Sequence, residues 1–226
     1  MKAVRNALLV SAMMCATAFA ATAEYRVLDR IKVPDGGFDY ATFDPATQRV
    51  YMARTDDTTV IDVKTGKTNS LASAGGAHIA LPVPGTTLIA LAERKGSVKL
   101  VDTATDKEIA DIPAGKNPDG MAYDPFSKLV FAMNHDSGDA TLVDPTAKKA
   151  VATIPIGGEL EFPASDGAGK VFVNVEDKVE IAVIDVKART VTARYKLVGC
   201  ERPTGLAYAA QAKLLISSCG GNGVAK

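Results

Sequence analysis

Five positions in this chain are placed to do chemistry together: Asp39, His78, Asp119, Glu161 and Thr204. They occupy one phase of a sequence repeat, five residues ahead of a turn in each unit. Equivalent positions of a radial repeat form a ring around a common axis. Three carboxylates and an imidazole in such a ring can bind a cationic ligand or a divalent cation, the carboxylates supplying hard oxygen ligands and His78 a borderline one. The metal set this pattern expects is Asp39, Asp119 and Glu161, with calcium as the ion; no other cofactor is expected. Wet, polar side chains are ordinary at the mouth of a channel, so the ring alone assigns no ligand.

The loops after the second strand of each unit are the next candidates. Asn134-His135-Asp136 holds one of only two histidines, and Asn174, Glu176 and Asp177 occupy the following loop. A histidine beside an aspartate can act as base or ligand, although Asn and Asp are also common turn formers. A third set of acids, Asp62, Asp102, Asp144 and Asp185, recurs once per unit. An acid repeated in one phase is expected to cap the turn that follows it, through backbone N–H groups.

These residues are positioned by a repeat of about 41 residues. The third strands read Thr59-Val60-Ile61-Asp62-Val63, Lys99-Leu100-Val101-Asp102-Thr103, Thr141-Leu142-Val143-Asp144-Pro145 and Val183-Ile184-Asp185-Val186, each with a central Asp. Their aspartates are 40, 42 and 41 residues apart. Four short strands per period of about 40–45 residues predict a β-propeller blade. Inner strands are expected at 39–43, 78–83, 119–123, 161–165 and 204–208. Second strands follow at 49–53, 87–92, 129–133, 170–175 and 213–218. These second strands are almost continuously apolar, as expected where both faces are covered.

Both ends depart from the period. Tyr25–Val33 reads as a fourth strand with no first three, which in a closed ring would complete the last blade. The chain stops at Gly223-Val224-Ala225-Lys226, where a fifth unit's third strand should begin. Four full blades with partial ends imply an incomplete ring and a truncated sequence; a seven-bladed protein would need about 100 further residues. A five-bladed ring with a degenerate last blade, or closure by self-association, are the alternatives.

Lys2 and Arg5, the apolar run Ala7–Phe19 and the small residues of Ala21-Thr22-Ala23 describe a secretory signal peptide over residues 1–23, leaving the propeller domain at 24–226. Cys15 would leave with it. The remaining pair, Cys200 and Cys219, is expected to form a disulfide in an oxidising compartment, periplasmic or secreted. No later apolar run reaches the length of a membrane span. The formal net charge is zero with both signs interspersed, so nucleic acid is not favoured as a partner. There is no Cys-x-x-Cys-His, phosphate-binding glycine loop or Gly-x-Ser-x-Gly elbow in the sequence.

The repeat wording, above all Gly115-Lys116-Asn117-Pro118-Asp119-Gly120, Val173-Asn174-Val175-Glu176-Asp177-Lys178 and Cys200-Glu201-Arg202-Pro203-Thr204-Gly205-Leu206-Ala207, resembles the YncE-like, YVTN-repeat β-propeller proteins of bacteria. The resemblance runs from Tyr25 to the C-terminus and implies an exported seven-bladed propeller, with no reaction attached. The expected function is binding or scaffolding, recognising a partner protein or small ligand at the channel face. A metal-dependent, lactonase-like propeller hydrolase and an accessory domain of a periplasmic redox system are the alternatives.

Overall fold

The computed structural model describes residues 25–221 and 223–225. The expected signal peptide lies outside the described residues. Among the described residues, the regular structure begins at Phe38 and runs to Ala225. It consists of five antiparallel sheets in sequence order. The first sheet is β1 (Phe38–Asp44), β2 (Arg49–Arg54), β3 (Thr58–Asp62) and β4 (Thr68–Leu71). The second is β5 (Ala77–Pro82), β6 (Leu88–Glu93), β7 (Ser97–Asp102) and β8 (Lys107–Pro113). The third is β9 (Pro118–Asp124), β10 (Leu129–Asn134), β11 (Asp139–Asp144) and β12 (Lys149–Pro155). The fourth is β13 (Leu160–Ser165), β14 (Lys170–Val175), β15 (Glu180–Asp185) and β16 (Thr190–Lys196). The fifth holds β17 (Pro203–Ala209), β18 (Leu214–Cys219) and the three-residue β19 (Gly223–Ala225). A single 3-10 turn, Ala72–Ala74, is the one helical element among the described residues, and none is long and apolar enough to cross a membrane.

The first strands β1, β5, β9, β13 and β17 stand side by side in that order, each touching the next. The ring they begin is not closed. Apolar layers fill the spaces between successive sheets. Strand β6 shows why its sequence is continuously apolar: Ile89 and Leu91 pack back toward Tyr51 and Val60, while Ala90 and Ala92 pack forward toward Met121 and Val130. Successive side chains of a strand point to opposite faces, so a strand covered on both sides has no polar face to show. The same layering continues between the third and fourth sheets and between the fourth and fifth. Cys200 and Cys219 are bonded, with Cα atoms 5.4 Å apart, and lie buried in the last layer beside Leu206.

Two details differ from the sequence reading. The recurring Asp does not sit mid-strand but closes each third strand, where its carboxylate takes the backbone N–H groups of the next turn. Asp62 accepts from Lys64 and Thr65, Asp102 from Ala104 and Thr105, Asp144 from Thr146 and Ala147, and Asp185 from Ala188, all at 2.7–3.0 Å. Residues 25–34 carry no strand, and Tyr25, Val27 and Leu28 are exposed. An apolar pattern makes a strand only where a neighbour takes its backbone groups. The fifth sheet begins its third strand where the period expects it, pairing Gly223 with Cys219 and Ala225 with Ser217.

Candidate functional site

Each ring residue is the second residue of its first strand, and each falls at the same backbone irregularity. In β1 the ladder runs Phe38↔Arg54 and then Ala41↔Met52, so Asp39 and Tyr40 together oppose Ala53. The same two-against-one step holds His78 and Ile79, Asp119 and Gly120, Glu161 and Phe162, and Thr204 and Gly205. A bulge of this kind bends the strand and re-aims its side chains. Five bulges in register thus present the five ring residues at one end of the inner strands. Gly120 is required there: a Cβ on it would lie 2.8 Å from the Phe162 Cα and 2.9 Å from the Glu161 carbonyl oxygen. The missing side chain brings β13 up against β9, and with it Glu161 toward Asp119.

Around His78 the structure collects two ring acids. His78 Nδ1 lies 2.7 Å from Asp39 Oδ2 and 3.3 Å from Asp119 Oδ1. Nε2 lies 3.0 Å from Asn117 Oδ1 and 3.1 Å from Arg94 Nη1. Arg94 also donates from Nη2 to Asp39 Oδ2 at 3.0 Å. Burial works against the charge on Asp39, but His78 and Arg94 outweigh it and hold the carboxyl below its ordinary value. Burial would likewise discharge His78; its bond to Asp39 and the Asp119 charge carry it the other way, above the usual imidazole value. Asp119 is pushed up, first by burial, with the His78 charge opposing and that of Asp39 adding to the rise.

Glu161 belongs to a second group. Tyr40 of the first sheet donates to Glu161 Oε2 at 3.0 Å, and the Tyr40 ring packs on Phe162 with centroids 5.1 Å apart. His135 Nε2 lies 3.6 Å from Glu161 Oε1 and 3.9 Å from Glu176 Oε2. His135 Nδ1 faces Asp136 at 2.8 Å, and Arg202 Nε donates to Glu176 Oε1 at 2.8 Å. Burial, helped by Asp119 and Glu176, raises Glu161 to about 7. Glu176 feels burial too, but Arg202 and the proton that Glu161 donates to it keep it low. His135 is raised: Asp136, Glu161 and Asp119 together overcome the opposing effect of burial.

Among the described residues, two sets of donor atoms lie within 4.8 Å of one another in the manner of metal ligands: Asp39, His78 and Asp119, and His135, Glu159 and Glu176. Asp39 and Asp119 therefore meet around His78, whereas Glu161 turns toward Tyr40 and His135. Thr204 stands apart, 3.3 Å from Ser218 Oγ. The loop candidates also divide. Asn134 and Asn174 are buried strand residues: Asn134 donates to Asp139 and Thr141, and Asn174 to the Thr204 and Gly205 carbonyls. Asp177 accepts from the Glu159 backbone N–H. His135, Asp136 and Glu176 join the ring acids. Sequence reasoning missed Tyr40, Asn117 and Arg202 as site residues. The signal for Tyr40 was its place as second bulge residue, in the phase of Phe162. Asn117 and Arg202 both stand two residues before a ring position, and both hold left-handed backbone, φ 52° and 53°.

Toward the other end of the inner strands lies an apolar cavity of about 600 Å³, lined by Phe43, Leu81, Pro82, Met121, Tyr123 and Phe162 among others.

No family model matches this chain, and no curated protein does. Among solved structures, Kuenenia stuttgartiensis hydrazine synthase is similar in fold. The TM-score is 0.74 at 16% identity, over 87% of this chain and 59% of that one. The fold is a β-propeller. The chain spans about 59% of the length of that structure. At this identity the likeness carries the architecture alone.

Proposed function

We propose that this chain is an exported β-propeller of the YncE-like, YVTN-repeat kind, acting as a binding protein that takes a ligand at the channel mouth. One observation carries the reading. Side chains from the first four sheets, Asp39 and Tyr40, His78, Asp119, and Glu161, are aimed by the same kind of bulge into two neighbouring groups of titratable residues at one end of the inner strands. Rigid strands that deliver polar groups to one concave end are where proteins place ligand sites. The buried Cys200–Cys219 bond supports export. A library of small charged and neutral fragments, titrated into the isotopically labelled chain, tests the site: mouth residues should respond, and a mouth silent to every fragment sinks the reading. N-terminal sequencing of the exported protein should begin at Glu24; a cytoplasmic chain that keeps residues 1–23 would remove the export part.

A metal-dependent hydrolase is the second reading, favoured by the closeness of the Asp39, His78 and Asp119 donor atoms. Those residues fit a divalent ion poorly. The charge such an ion would supply is already there as Arg94, 3.0 Å from Asp39, and as His78, whose Nδ1 faces the same oxygen. A calcium titration by calorimetry that gives stoichiometric heat would revive the metal. The redox-accessory reading gains nothing from the hydrazine synthase likeness, which carries the fold only.

A further inference from the structure

We infer that the groove between the fourth and fifth sheets is a second ligand site, and that it takes a small aromatic carboxylate. None of the channel-mouth residues lines this groove, so the inference is independent of the reading above.

The groove holds about 410 Å³, within the usual range of small-molecule pockets. It lies where the repeat departs from itself. Lys170 opens the second strand of the fourth sheet, where the two preceding sheets have Leu88 and Leu129. Tyr195 stands opposite Ile181 on the fourth strand, where Ile112 stands opposite Val98 and Ile154 opposite Ala140. Those two isoleucines are 4% and 0% exposed, whereas Tyr195 is 52% exposed. A leucine position has become a cation and a sealed isoleucine position an open phenol, both on the lining of one groove. Residues two apart in a strand share a face, so Lys170 lies on the face of Phe172. The Phe172 ring packs on Tyr208 of the fifth sheet, with centroids 5.8 Å apart and planes at 27°. Lys213 joins the lining from the fifth sheet, one residue ahead of β18.

The lining carries more positive charge than it matches. Lys196 is paired: its Nζ lies 3.1 Å from Glu180 Oε2 and donates to the Lys178 carbonyl at 3.0 Å. Among the described residues, the ammonium groups of Lys170 and Lys213 meet no carboxylate. Asp166, the acid on this lining, accepts the Ala168 and Lys170 backbone N–H groups on Oδ1, at 2.8 and 2.9 Å. The hydroxyls of Tyr195 and Tyr208 likewise have no hydrogen-bond partner among the described residues. Two ammoniums and two hydroxyls are thus left to donate. A carboxylate accepts from such donors in charge-assisted bonds. The Phe172–Tyr208 pair and the half-exposed Leu214 beside it offer an apolar wall, which suits a flat aromatic body. A small inorganic anion would leave that wall unused, and a divalent metal ion would find a single carboxylate.

The test uses the full chain, labelled with nitrogen-15, and three probes: sodium 2-naphthoate, its uncharged analogue 2-naphthamide, and sodium acetate. The expected result is a saturable shift of the Lys170, Phe172 and Tyr208 amides with 2-naphthoate, and binding weaker by about fivefold or more with each of the other two. Lys170→Gln combined with Lys213→Gln should weaken 2-naphthoate by about tenfold, as loss of two exposed charge pairs does. Lys187→Gln removes the same charge from an exposed turn outside the groove and should leave binding unchanged. If the double variant does not give a dispersed spectrum, Lys170→Gln alone takes its place, with about threefold weakening expected. Equal binding of 2-naphthamide, or full affinity in the folded lysine variant, overturns the carboxylate assignment. Equal binding of acetate overturns the aromatic one. Shifts confined to the channel mouth, or no saturable shift at all, overturn the groove as a site, and the fragment titration of the mouth is decided separately.

Discussion

Two sets of aspartates in one molecule have opposite surroundings. The turn aspartates, Asp62, Asp102, Asp144 and Asp185, sit at the outer ends of third strands and take backbone N–H groups. The side-chain and backbone donors at Asp62 and Asp102 hold those carboxyls below their ordinary value. The mouth acids Asp119 and Glu161 are buried, meet other acids, and are raised. The residue type is similar, and the difference lies in what the backbone offers. A turn supplies N–H groups free of any ladder; a bulged inner strand aims its side chain away from them. The turn acids repeat because the turn repeats. The mouth residues vary because nothing in the blade's own hydrogen bonding depends on them.

The contrast breaks hardest at Asp124, a fully buried acid on an inner strand that nonetheless behaves as a turn cap. Its oxygens accept from Ser127 N, Ser127 Oγ and Ser165 Oγ at 2.6–2.8 Å, tying the third sheet to the fourth. Asp124→Ala should cost about 3 kcal/mol, since it strands three donors in the interior. Chemical denaturation would measure it, and a loss below about 1 kcal/mol would show that burial and not bonding defines the two classes.

Glu161 gives the next effect, and its sign is opposite to that of a paired acid. The folded carboxyl titrates at about 7 against an ordinary 4.5. The folded state therefore holds more protons between those values. Stability falls as pH rises from about 4.5 to 7 and is level above. After a discount for the solvent side of the mouth, the fall is about 1–2 kcal/mol. Glu161→Gln should flatten it, so thermal melts of the variant at pH 4.5 and 8 should differ less than those of the parent chain. Parallel profiles for the two proteins would refute the raised carboxyl.

Asp144→Ala removes a turn cap with two N–H partners and should cost about 1 kcal/mol, read as a shift in the denaturation midpoint. Asp119→Asn should change stability least, within about 0.5 kcal/mol, because relief of burial offsets the lost attraction of His78. A large loss there, in the absence of ligand, would place Asp119 with the turn acids.

Much of this was legible in the chain. The period of about 41 residues gave the four full blades with a partial fifth, the strand order and the phase of both acid sets, because each blade repeats the same turns and layers. The cysteine pair was legible from its placement around one hairpin. Less was legible at the mouth. Nothing near Glu161 in sequence announces Tyr40, 121 residues away, and Asn134 falls just outside its expected strand although it is buried at the end of β10. Strand ends and bulges shift by a residue or two without altering the apolar pattern, and such a shift decides whether an amide faces solvent or the next blade.

The sequence by itself determined the architecture, since a strand's apolar pattern and a turn's chemistry act over a few residues and here recur in register. Only the tertiary structure decided which acids would be satisfied. Whether Asp39 meets Arg94, or Asp119 meets His78, depends on side chains from different blades arriving within about 3 Å of one another, and that distance is set by the packing of one inner strand on the next and by the missing side chain at Gly120.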